Sequence, residues 1–166
     1  MHNVKAYCER RTNKMEEKAR IRSFRDLDVY RTAHEAAMLV LKEIVPKLPK
    51  EEKDDLGDQL RRSVKAVPRL IAEGFAKRHQ VKGFQKYLDD AQGESNESQA
   101  SLEQCRDAYD KFVDLKICEK LIDTYDKISR QLYNLSLAWN KFYEKRSYDA
   151  RLTKCISQTQ TNYERQ

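Results

Sequence analysis

Residues 84–112 read FQKYLDDAQGESNESQASLEQCRDAYDKF, and this stretch decides the fold. Its apolar or small side chains recur at alternating intervals of four and three residues, which is the spacing of a heptad seam on one helix. A strand would instead alternate every second residue. We therefore predict a long helix with one buried face. The seam comprises Phe84, Leu88, Ala91, Ser95, Ser98, Leu102, Cys105, Tyr109 and Phe112.

The same spacing continues on the C-terminal side. After a turn near residues 114–116, apolar residues again recur every three or four positions, which predicts a fourth helix. Its predicted seam comprises Cys118, Leu121, Tyr125, Ile128, Leu132, Leu135, Trp139 and Phe142.

A first helix is predicted from about Asp28 to Val45, and Pro46 and Pro49 should end it, because proline cannot donate a backbone hydrogen bond. Before it, the segment 23–27 should dock on the bundle through Phe24 and Leu27, with Asp26 or Asp28 available to cap the helix. The inward face is predicted to comprise Tyr30, Ala33, Ala37, Leu41, Ile44 and Leu48.

A second helix should begin near residues 50–52, where acidic side chains favour the N-terminal end of the helix dipole. Pro68 lies inside this helix, so we expect a kink or break near Ala66 and Val67. The inward residues are predicted to be Leu56, Leu60, Val64, Val67, Ile71 and Phe75.

The composition agrees with this all-helical pattern. The 166 residues include only four glycines and three prolines, the two residues least compatible with helix interiors. Four helices joined by short links pack antiparallel. The predicted fold is therefore an all-α, antiparallel up-down four-helix bundle. We assign residues 23–145 to the bundle, 1–22 to a basic N-terminal arm and 146–166 to a basic C-terminal tail.

The excess of positive charge lies at the two ends of the sequence. Residues 1–22 contain seven basic and three acidic side chains, and residues 146–166 contain four basic and two acidic ones. These differences account for the whole net charge of +6, so the middle of the chain is neutral. Attraction to a polyanion must therefore come from the ends or from one face of the bundle.

The usual marks of catalysis and of metal binding are missing from the sequence. A di-metal site in a helical bundle needs Glu-x-x-His pairs, and none of His2, His34 and His79 has a glutamate three residues before it. The four cysteines form no CxxC pair, and there is no glycine-rich phosphate loop. We predict a protein that is not an enzyme, with no catalytic residue, no metal and no cofactor.

The location in the cell is predicted from two further features. The sequence has no secretory leader and no apolar run of about 18 residues, so we expect no membrane association. The scattered cysteines are typical of a reducing compartment. We predict a cytoplasmic protein.

Ser95 and Ser98 are unusual because a helix seam normally carries larger apolar residues. One interpretation is a close approach of two helices, with each hydroxyl bonded to a carbonyl one turn back. The other is a polar layer or cavity next to Glu94 and Glu97. Because an unpaired buried hydroxyl costs about 1–3 kcal/mol, the first interpretation is favoured.

The second predicted helix carries cations on the side opposite its apolar face. At 100° per residue, Arg61, Arg62, Lys65 and Arg69 form one stripe. Positive charge continues past the end of this helix. These further cations are Lys77, Arg78, Lys82 and Lys86.

Two interpretations of this stripe remain open. It is either a surface that neutralises phosphates or a solvated face balanced by nearby carboxylates. The candidate nucleic-acid-binding residues are Arg61, Arg62, Lys65, Arg69, Lys77 and Arg78. Docking of an acidic protein partner is the alternative function for the same face.

Several segments carry a family resemblance. They are Ser23–Tyr30 with Ala33 and His34, Gln59–Ser63, Val67 with Pro68, Ile71–Phe75, and Phe84, Tyr87, Leu88, Ala91, Gly93 and Glu97. With this spacing, residues 23–143 resemble the small bundle proteins encoded within intervening sequences of bacterial 23S ribosomal RNA genes. The stretch Ile71–Phe75 is the most specific part of the match.

The resemblance implies more than a fold. It implies a homo-oligomer in the form of a homopentameric barrel, and it extends to the accessory variability determinant of diversity-generating retroelements. That accessory protein binds nucleic acid and docks onto a reverse transcriptase. The expected partners are therefore further copies of the chain, RNA or another nucleic acid, and a reverse transcriptase, with Arg61 and Arg62 at the matching positive surface.

Overall fold

The computed structural model describes residues 21–163, with side chains described for residues 21–148 except 81 and 147. The predicted N-terminal arm therefore lies almost wholly outside the described residues. Within 21–163 all regular structure is helical, as predicted. The main helices are α1 (Asp28–Leu39), α2 (Leu56–Ala76), α3 (Val81–Ala108) and α4 (Leu115–Tyr163).

The helices pack in chain order around one core. α3 packs along both α2 and α4, and α1 packs against the other side of α2 and α4. Since short links join consecutive helices, neighbouring helices are antiparallel. Among residues 21–163, no helix combines the length and the apolar composition that crossing a membrane requires.

The segment before α1 docks as predicted but is capped differently. Leu27 is buried, and the Phe24 ring meets the Tyr30 ring edge to face at 4.7 Å. The prediction that Asp26 or Asp28 caps α1 is wrong, because the N-cap residue is Leu27 and makes no side-chain cap bond. Ser23 instead caps the short 3₁₀ turn Phe24–Asp26, and Asp26 completes the capping box by accepting the backbone N–H of Ser23 at 2.8 Å.

α1 buries a face that is offset from the predicted one. Tyr30, Leu41 and Leu48 are only half-buried. After Leu39 the chain continues as a π-helical turn (Val40–Ile44) and a 3₁₀ turn (Val45–Lys47), and Pro49 follows shortly after. Ala36 and Val40 were not predicted to face the core but are buried, and they shift the centre of the buried face away from Tyr30 and Leu41. The buried residues are Val29, Ala33, Ala36, Ala37, Val40 and Ile44.

α2 buries all six predicted residues and remains one continuous helix through Pro68. We predicted a kink or a break near Ala66 and Val67, and the break is therefore wrong. A proline inside a helix costs about 3 kcal/mol, whereas each large apolar side chain buried on α2 contributes about 1.5–3 kcal/mol. The burial of six such side chains therefore outweighs the free-energy cost of the proline. The predicted start near residues 50–52 is a separate 3₁₀ turn (Lys50–Glu52), and α2 itself begins at Leu56.

The α3 and α4 seams are buried through most of their predicted length. They run from Phe84 to Cys105 on α3 and from Cys118 to Leu132 on α4. Phe112 and Phe142 were predicted to face the core, but each is 52% exposed. Phe112 lies in the link after α3, and Phe142 lies where α4 runs past the start of α3. α4 then continues to Tyr163, beyond residue 145, where the sequence predicted that the bundle ends.

The serines of the α3 seam are buried and hydrogen-bonded. Ser98 donates to the carbonyl of Glu94 at 2.8 Å. This is the bond to a carbonyl one turn back that the favoured interpretation predicted. Ser95 instead donates across the interface to the carbonyl of Tyr125 at 3.1 Å. Nearby, Ser129 of α4 donates to Oδ1 of Asn96 at 2.8 Å. The hydroxyls of Ser95 and Ser129 therefore join α3 and α4, and none of the three is left unpaired.

Candidate polyanion-binding face

The α2 basic face consists of Arg61, Arg62, Lys65 and Arg69. Arg61, Lys65 and Arg69 are four residues apart, so they form one row on the helix surface. Arg62, Lys65 and Arg69 are exposed, and Arg61 is half-buried. The opposite side of α2 forms the core, which holds the cations on a rigid element. The structure therefore brings these four predicted residues together.

Asp58 is the carboxylate nearest the N-terminal end of the basic face. Its Oδ2 lies 2.6 Å from Nη2 of Arg62, and its Oδ1 lies 3.6 Å from Nη1 of Arg61. One carboxylate therefore balances two guanidinium groups, and one positive charge is left over. Exposed ion pairs of this kind are worth about 0.2–1 kcal/mol, so a phosphate could replace Asp58 at little cost.

Lys65 and Arg69 occupy the C-terminal half of the face. Neither forms an ion pair within 4 Å to any carboxylate among the described side chains. Both border a groove of about 320 Å³ between α1 and α2, here called the apolar groove. Its remaining lining residues are Phe24, Tyr30, His34, Ala37, Met38, Pro68 and Ala72.

Lys77, at the end of α2, is held by neighbouring side chains. Its ammonium group contacts the Tyr87 hydroxyl, lies 4.4 Å from the Tyr87 ring centre and is 3.5 Å from Glu73. The Tyr87 hydroxyl donates to Glu73 at 2.9 Å. This hydrogen bond, followed by that from Lys77, lowers the pKa of Glu73. Lys77, Glu73 and Tyr87 therefore tie the end of α2 to α3.

Arg78 closes the C-terminal end of α2. Its Nη1 donates to the Phe75 carbonyl at 2.9 Å, and its guanidinium lies 4.2 Å from the Phe75 ring centre. The Tyr143 hydroxyl donates to the Arg78 carbonyl and so links this turn to α4. Arg78 is nevertheless exposed. Lys77 and Arg78 follow the α2 basic face at the C-terminal end of the helix, and Glu73 lies between Arg69 and Lys77 on the same helical row.

A second groove, here called the aromatic groove, opens beside Arg78. Its volume is about 290 Å³. Apart from Arg78, sequence reasoning did not assign its residues to a functional site. The sequence feature that could have indicated this groove is the spacing of Trp139, Phe142 and Tyr143, which places three rings on one side of α4. The groove is lined by Arg78, His79, Trp139, Phe142, Tyr143 and Arg146.

Fold and surface together define a class of protein: an all-α helical bundle with a cationic stripe along its second helix. The sequence pattern of the 23S rRNA-intervening sequence proteins matches residues 25–134. The match covers more than half of the chain, so this protein belongs to that family. It includes all six predicted site residues but ends before Trp139. Comparison with curated proteins finds no match.

Proposed function

We propose that the protein is a non-enzymatic, oligomeric scaffold of the cytoplasm that associates with RNA through the α2 basic face. The observation that carries the proposal is the charge of this face: four cations lie along about 12 Å of helix, and Asp58 pairs with only two of them, Arg61 and Arg62. Backbone phosphates would bind there by releasing condensed counterions. The membership of the chain in the 23S rRNA-intervening sequence family supports RNA as the polyanion.

Assembly into a homo-oligomer is part of the proposal, with the pentameric barrel that the resemblance implies as the leading form. A ring of identical subunits would repeat the α2 basic face around one axis. Several weak sites that act on one RNA raise the overall affinity well above that of a single site. Lys77 and Arg78 would then add positive charge at the end of each subunit.

The proposal is tested by a binding titration over a series of salt concentrations. The test variant combines Arg62→Gln, Lys65→Gln and Arg69→Gln, which removes three exposed charges and leaves the core intact. The control variant combines Lys116→Gln, Lys120→Gln and Lys127→Gln, which removes the same charge from exposed positions on α4. Circular dichroism establishes that both variants fold.

The expected result is a weaker dependence on salt in the test variant only. Each lost phosphate contact should lower the slope of log Kd against log salt by about 0.7–0.9, and three contacts should lower it by about 2–3. The control should keep the wild-type slope. If a folded test variant binds RNA with the wild-type slope and affinity, the α2 basic face is not the RNA site.

A second candidate function is favoured by the apolar groove. An apolar channel bordered by Lys65 and Arg69 suits a protein segment that carries both apolar and acidic side chains. The protein would then be an adaptor that docks a reverse transcriptase or another acidic partner. Binding to a purified reverse transcriptase from the same genome tests this function. Loss of that binding in Met38→Gln, with RNA binding unchanged, would support it, and unchanged binding would contradict it.

A further inference from the structure

The aromatic groove lies at the end of the bundle where the α2–α3 link meets α4. Phe142 exposes half of its surface there, while Trp139 and Tyr143 are half-buried. Its volume of about 290 Å³ is close to the lower limit of pockets that hold small ligands. A site of this size suits one planar group and the charged atoms attached to it.

The aromatic rings that line the groove pack on the buried core and on one another. Trp139 meets the buried Phe84 ring edge to face at 4.7 Å. The Trp139 ring centre is 5.9 Å from that of Phe142 and 6.0 Å from that of Tyr143. Since aromatic side chains have few rotatable bonds, this wall loses little conformational entropy when a ligand stacks on it. Phe142 is the ring that offers an open face.

Three basic side chains complete the lining, and none of the lining residues is acidic. Arg78 is held by the Phe75 carbonyl, so its guanidinium is positioned before any ligand arrives. The Arg146 guanidinium lies 6.0 Å from the Phe142 ring centre. His79 lines the groove beside the two arginines. The groove thus combines a stacking surface with positive charge, which matches a nucleotide better than it matches a neutral ligand.

We propose that the aromatic groove binds an unpaired nucleotide of the RNA, with its base stacked on Phe142 and its phosphates next to Arg78 and Arg146. This inference rests on the proposed function and specifies its substrate as RNA with unpaired bases. A base inside a duplex is already stacked between its neighbours, so only a loop, bulge or single-stranded end can supply one. The α2 basic face would hold the backbone, and the aromatic groove would select the unpaired segment.

Trp139 is the only tryptophan of the chain, so its fluorescence reports on this groove alone. The probes are an eight-nucleotide single-stranded RNA and a blunt RNA duplex of the same length. Saturable quenching by the single strand, and much weaker quenching by the duplex, is the expected result. Equal quenching by both probes, or none by the single strand despite measurable binding, would overturn the inference.

Phe142→Leu removes the ring but keeps an apolar side chain at an exposed position. Loss of one stacked base should weaken single-strand binding about 5- to 150-fold and leave duplex binding unchanged. Phe142→Tyr should restore most of the affinity, because a tyrosine ring also stacks. Phe112→Leu is the matched control, since Phe112 is equally exposed but lies at the opposite end of the bundle.

The outcomes separate this inference from the proposed function. If the triple glutamine variant of α2 loses RNA binding while Phe142→Leu binds both probes normally, the proposed function stands and the inference falls. If neither probe binds the wild-type protein, both fall. If Phe142→Leu changes the particle size in light scattering and leaves single-strand affinity intact, the groove is a contact between subunits and the inference is overturned.

Discussion

Gly74 lies where α2 packs tightly against α3, and replacing it by alanine tests that packing directly. A Cβ atom at position 74 would lie 2.7 Å from Cβ of Tyr87 and 3.1 Å from Cδ2 of Phe84. The Tyr87 Cβ is attached to the backbone of α3 and cannot rotate away. Gly74→Ala therefore requires the two helices to move apart.

Gly93 provides the matched control. It is also inside a helix, but a Cβ there would meet nothing within 4 Å. Alanine is favoured over glycine in a helix interior by about 1 kcal/mol, and both variants gain this amount. Overpacking costs about 1–3 kcal/mol and applies only at position 74. Gly93→Ala should therefore be more stable than wild type by about 1 kcal/mol, with Gly74→Ala lower than Gly93→Ala by about 1–3 kcal/mol.

The free energy of unfolding is measured by urea titration, followed by circular dichroism and by Trp139 fluorescence. All proteins are compared at one concentration, because subunit association also stabilises the folded state. The reasoning is refuted if Gly74→Ala gains as much stability as Gly93→Ala. That result would mean that α2 and α3 tolerate a methyl group between them.

Three further predictions concern charge and protonation. Asp58→Asn releases two arginines of the α2 basic face and should tighten RNA binding about 2- to 5-fold at low salt; an unchanged Kd would contradict the pairing. Tyr87→Phe removes the main cause of the lowered pKa of Glu73, so NMR titration should show that pKa rising; no rise would exclude this hydrogen bond as the cause. Burial raises the pKa of Cys105 to about 12 and that of Cys118 to about 11, from 9.0. The unfolded thiols therefore lose their protons first, and stability should fall as pH rises above about 9. Cys118→Ser can still donate a hydrogen bond but does not titrate there, so its urea midpoint should fall less than that of wild type between pH 8 and 10.5.

The sequence predicted the core where the apolar spacing was strict. On α2 every predicted residue, from Leu56 to Phe75, is buried. On α3 and α4 the errors occur where the same spacing continues past the neighbouring helices. Phe112 and Phe142 keep the heptad interval, but a periodic pattern carries no information about where the partner helix ends.

The candidate site was predictable only in part, because local sequence spacing does not show contacts between distant residues. The α2 basic face follows from helical geometry alone, and Asp58 is visible three and four residues before its two partners. The contacts of Lys77 with Tyr87, and of Arg78 with Tyr143, join residues that are far apart in sequence and meet only in the folded bundle. The aromatic groove depends on such long-range contacts, so its composition could not be inferred before the structure was known.

The paired hydroxyls between α3 and α4 have a consequence for register. Two heptad seams can slide past one another by seven residues and still bury apolar side chains, so the seams alone permit several alignments. Only one alignment lets Ser95 reach the Tyr125 carbonyl and Ser129 reach Asn96. In any alignment Ser95 could bond to the carbonyl one turn back on its own helix, as Ser98 does. A shifted pairing would, however, separate Ser129 from Asn96 and lose that hydrogen bond, worth about 0.5–1.5 kcal/mol. The Ser129–Asn96 pair thus favours the observed alignment of α4 on α3, and that alignment sets the position of Trp139 and Phe142 beside Arg78.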